Sequence, residues 1–69
     1  MIEIFKTDIN SKRKADEIRS NLEASFPGHT VNIDLEDCDK ILRVEALSLH
    51  CGKIMEIVKN NGIAITILK

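Results

Sequence analysis

The chain has 69 residues, 43% hydrophobic, 30% charged and 3% aromatic, and ten Lys and Arg against eleven Asp and Glu leave a net charge of -1. That length allows one domain, and the apolar fraction excludes a disordered segment. The near-neutral balance lacks the basic excess that drives binding to nucleic acid.

In chain order, residues 2–8 read as a short β-branched strand. Residues 12–25 predict a helix. Ala15, Ile18, Leu22 and Ser25 or Phe26 recur at helical spacing, and Lys12, Arg13, Asp16, Arg19 and Glu23 cover the other face. Asn10 or Ser11 caps its start, and Pro27-Gly28 stops it. Residues 30–35 alternate, with Val31, Ile33 and Leu35 pointing one way. Residues 41–47 alternate too, with Leu42, Val44 and Ala46 inward. Between them Glu36-Asp37-Cys38-Asp39-Lys40 is a polar hairpin connection, in a register that sets Asp34 beside Arg43. Residues 49–60 predict a second helix, with Ser48 as N-cap, a buried stripe of Cys51, Ile54, Met55 and Val58, and Asn61-Gly62 as a left-handed C-cap. Residues 63–68 form the last strand.

The order is β-α-β-β-α-β. With a central hairpin and right-handed crossovers it gives an α+β, ferredoxin-like fold: a four-stranded antiparallel sheet, order 4-1-3-2, with both helices on one face.

This order, in about 70 residues, resembles the heavy-metal-associated domain family, the fold of copper chaperones. In that family the first strand runs into a Met-x-Cys-x-x-Cys loop, and apolar residues follow one, four and eight positions after the second Cys. Counting back from Ala15, Ile18 and Leu22 puts the second Cys position at Lys14, the first at Ser11 and the Met position at Ile9. The apolar frame is kept and the ligands are replaced. Copper(I) wants soft thiolates, which a Ser hydroxyl does not imitate, and the Lys14 ammonium repels a cation. Lys12, Arg13 and Lys14 also oppose the dipole of the helix they open. Where family helices often end in Gly and an aromatic residue, Gly62 here precedes Ile63.

The fold sets the first loop, the hairpin turn and the entry to the last strand at one end. Cys38 lies there and Cys51 at the other end, so no disulfide is expected. Cys38 reads as an inert exposed thiol and Cys51 as a small buried hydrophobe. His29, His50 and Cys51 share the far end and offer three donors of zinc-binding type, but His50 and Cys51 diverge by about 100° on a helix. Glu36, Asp37 and Asp39, with Asp34, form an acidic cluster that lacks the Gly of a calcium loop. It lies at the end that carries Ser11, Lys12, Arg13 and Lys14. Alternation directs Phe5, Ile41, Leu47, Ala64 and Leu68 to the open face of the sheet, where a contiguous apolar patch marks an interaction site. No catalytic triad, nucleophile elbow or phosphate loop appears, and a domain this small leaves little room for a ligand pocket of roughly 300–1,000 Å³.

The expectation is a non-enzymatic module without cofactor. It docks another protein, or a second copy of itself, through the loop end or the open face. The alternatives are a copper or zinc carrier with non-standard ligands, and a dimeric module that senses a small molecule. No basic-apolar leader opens the chain, and no apolar run nears the roughly 20 residues of a membrane span. A cytoplasmic home with reduced thiols is the matching expectation.

Overall fold

The computed structural model describes residues 1–68. Strand β1 (Ile2–Thr7) is followed by helix α1 (Lys12–Ser25), strands β2 (Thr30–Asp34) and β3 (Ile41–Glu45), helix α2 (Cys51–Asn60) and strand β4 (Ile65–Ile67). The strands form one antiparallel sheet in the order β2-β3-β1-β4, which is the expected order read from the other edge. No helix among the described residues is long and apolar enough to cross a membrane.

The core lies between the sheet and the two helices. Ala15, Ile18 and Leu22 of α1 and Ile54 and Val58 of α2 are buried against Phe5, Val31, Leu42, Val44 and Ile65. These are the residues that the 3.6 and 2.0 periodicities select. Helix α1 is capped by Ser11, whose hydroxyl accepts the Lys14 N–H at 3.1 Å. Gly62 follows α2 at φ +80, the left-handed turn that releases the chain toward β4.

Three expectations are corrected. Phe5 does not face the open side: it is fully buried and lies opposite Leu42, on the helix face of the sheet. Phe5, Thr7 and Ile9 all point into the core, so Ile2 and Ile4 take the open face instead. Burying a phenyl ring outweighs burying one isoleucine, provided the Thr7 hydroxyl that shares its parity is hydrogen-bonded. Next, Asn32 rather than Asp34 stands opposite Arg43, and Asp34 stands opposite Ile41. Finally, α2 begins two residues late. Its N-cap is His50, which makes no side-chain capping bond, because Leu49 packs against the core before the helix starts.

Candidate functional site

The end of β1 organises the loop end of the domain. Thr7 is buried, and its hydroxyl donates to the Lys40 carbonyl and accepts the Ile9 N–H at 3.3 Å. Its own N–H donates to the Asp39 carbonyl at 3.1 Å. Asp8 is bonded twice to Ala64: its N–H donates to the Ala64 carbonyl at 3.3 Å, and its carboxylate accepts the Ala64 N–H at 2.9 Å. The first loop, the hairpin turn and the entry to β4 are thus joined, as the topology requires.

Ile9, Ser11 and Lys14, the three positions that the resemblance sets at a metal loop, are each engaged within the chain. Ile9 is fully buried. Ser11 is spent on the cap. Lys14 is half-buried and its ammonium lies 3.6 Å from Glu17, while Lys12 lies 3.6 Å from Asp16. Arg13 is exposed and has no ion pair among the described residues. No acid occupies the first turn of α1, so three cations meet the positive end of the helix dipole. Nothing in this stretch supplies the thiolates that copper(I) selects.

The acidic turn is built from its own side chains. The Asp34 carboxylate accepts the Glu36 N–H at 3.0 Å, and the Asp37 carboxylate accepts the Asp39 N–H at 2.8 Å. Lys40 turns the chain at φ +48, a left-handed conformation uncommon for a residue with a side chain, and its ammonium donates to the Leu35 carbonyl at 3.0 Å. Lys6 lies 3.6 Å from Asp39. Donor atoms of Asp37, Cys38 and Asp39 come within 4.8 Å of one another. No other three-residue group of that kind forms among the described residues, so His29, His50 and Cys51 are not brought together. His29 is half-buried, with its ring centroid 5.1 Å from that of Phe26, and its Nε2 is buried without a partner. His50 is exposed, and both cysteines are free thiols.

The acidic turn overhangs the open face of the sheet. Asp34, Asp37, Asp39 and Arg43 rim a hollow of about 460 Å³ whose apolar lining includes Ile4, Ile41 and Leu68. Its volume falls inside the range of ligand sites, contrary to the expectation from chain length, although it is a surface hollow and not an enclosed cavity. Leu68 is exposed and Ile41 half-buried, as expected of the open face. Leu47 is 98% exposed beyond the end of β3, and Ala64 is exposed before β4, so neither lines the hollow. Arg43 lines the hollow with Asp34, beside which the sequence sets it, while Ile4 and Asn32 are not singled out by the sequence. The parity set by Phe5, Thr7 and Ile9 together would have identified Ile4, because three inward residues outvote the Ile2–Ile4 pair.

No family model and no curated protein matches this chain. Among solved structures, a copper transporter domain of yeast, CCC2A, determined in solution in its apo and copper(I)-loaded states, superimposes with a TM-score of 0.82. It is 21% identical, and the match covers 99% of this chain and 94% of that one. The likeness shows the fold alone: this chain shares with that domain two helices on one face of a four-stranded antiparallel sheet. The likeness extends over both helices and all four strands, so the loop from Ile9 to Lys14 sits where that fold carries its first loop.

Proposed function

We propose that this domain is a protein-interaction or regulatory module on the heavy-metal-associated fold, with the hollow on the open sheet face as its docking surface. The observation that carries the reading is the union of two features in one hollow: an apolar floor at Ile4, Ile41 and Leu68, and a carboxylate rim at Asp34, Asp37 and Asp39. An apolar floor supplies affinity, and a charged rim supplies orientation and steering. The partner is a protein segment with apolar side chains flanked by Lys or Arg, and the cationic turn at Lys12, Arg13 and Lys14 offers a second, opposite contact. Replacement of the two cysteine positions by Ser11 and Lys14 supports a use other than copper carriage. The proposed compartment is the cytoplasm, where free Cys38 and Cys51 stay reduced.

The second reading is a zinc carrier that uses Asp37, Cys38 and Asp39, and it rests on the proximity of their donor atoms. One experiment separates the two. The reduced protein is titrated with zinc, and separately with a short peptide of alternating Lys and Leu, while amide chemical shifts are followed. The docking reading predicts saturable peptide shifts at Ile4, Asp34, Ile41, Arg43 and Leu68, and none with zinc. Saturable zinc shifts confined to residues 36–40 favour the carrier. Peptide shifts that map away from the hollow contradict the docking surface.

A further inference from the structure

The sheet has two edges, and they are built differently. The β4 edge is three residues long, a length that blunts pairing. The β2 edge is five residues long and every residue is paired one-to-one to β3, so it is fully formed and free of a bulge. It carries no Pro, Lys or Arg, the residues that commonly block an open edge. Thr30-Val31-Asn32-Ile33-Asp34 is also symmetric in character. Polar residues sit at both ends and the centre, and Val31 and Ile33 sit between them on the helix face.

We propose that β2 is a self-pairing edge, and that its occupant is β2 of a second copy, antiparallel about a two-fold axis at Asn32. In this register Val31 meets the partner's Ile33, Thr30 meets the partner's Asp34, and the two Asn32 side chains meet on the axis. No like charges lie directly opposite, the arrangement that destabilises a cross-strand pair. The two Asp34 carboxylates fall four residues apart, about 13 Å, beyond a Debye length at 0.1 M salt. The groove beside this edge adds charge complementarity. Its charged lining is Lys12, Asp16 and Arg19 of α1 with Asp34 and Glu36, beside the half-buried Ile33 and Leu35. Lys12 and Arg19 lie 3.6 Å from Asp16 and Glu23 of their own helix, so pairing across the axis takes place by exchange of these exposed partners. The result is a continuous eight-stranded sheet. The proposal rests on the build of the edge and not on the docking surface, although Asn32, Ile33 and Asp34 border both.

The test uses the intact chain. Sedimentation of the wild type is followed up to about 1 mM, the range suited to an interface at the small end of specific contacts. The expected result is a concentration-dependent dimer. Asn32 is exposed but stands opposite Arg43, so circular dichroism checks that Asn32→Lys and Asn32→Asp keep the fold. Each variant alone sets like charges on the axis and weakens its dimer about fivefold. An equimolar mixture of the two restores it. In wild type, amide exchange slows at residues 30–34 on concentration and stays unchanged at residues 65–67. A wild type that is monomeric throughout overturns the proposal, as does a mixture no tighter than its components. Should either variant unfold, the wild-type exchange pattern decides alone.

Discussion

The two ends of the sheet are built to different standards. At the loop end the Thr7 hydroxyl and the Asp8 carboxylate tie three separate connections into one unit, and the Lys40 ammonium braces the hairpin turn from within. At the far end the joining contacts are backbone bonds between Met1 and Ala46. There α2 starts without a side-chain cap, Leu47 is almost wholly exposed, and a histidine nitrogen is buried without a partner. In the resembled family the loop end is the metal end. Here it is held by hydrogen bonds that use no metal donor. Order at that end is therefore supplied by the chain itself.

The contrast is sharpened by substitutions at both ends. The largest effect is expected at Thr7. Thr7→Val keeps the shape but leaves the Ile9 N–H and the Lys40 carbonyl without their hydroxyl partner, at a cost of about 1–3 kcal/mol. Thermal unfolding reads this as a fall of about 4–8 °C per kcal/mol in a domain of this size. An unchanged melting temperature would mean that Thr7 does not hold the two connections together. A smaller loss, about 1 kcal/mol, is expected for Ser11→Ala, which removes the α1 cap. Denaturant midpoints at constant slope measure it. The smallest effect has the opposite sign. His50→Asp gives α2 the side-chain cap that it lacks and sets a carboxylate at the positive end of its dipole, and stabilises by about 0.5–1 kcal/mol. A loss of stability there would show that His50 has a role its exposed position does not reveal.

Much of the fold was legible because the signals were local. Ala15, Ile18 and Leu22 mark one helix, Ile54 and Val58 the other, and Gly62 ends the second at positive φ. The element order then leaves few topologies. The errors fell where local signals competed. In β1 both parities carry apolar residues, Ile2 and Ile4 on one side and Phe5 on the other, and only the packed core decides between them. The Asp34–Arg43 pairing failed because hairpin register depends on the geometry of a long turn, here set by Lys40 at positive φ. Ser48 is a good cap by type, but Leu49 is drawn to the core first. For the site, the apolar and acidic features were each visible in the chain. Their union in one hollow was not, because it requires the turn to fold back over Ile4 and Ile41.

The most direct measurement compares copper(I) binding by the reduced wild type and by the double variant Ser11→Cys/Lys14→Cys, using a chromogenic copper(I) chelator as competitor. The account predicts that the wild type leaves the copper with the chelator, while the variant, with two thiolates restored to the loop, withdraws one equivalent. A wild type that competes as well as the variant would contradict it, and would place a copper site outside the loop from Ile9 to Lys14.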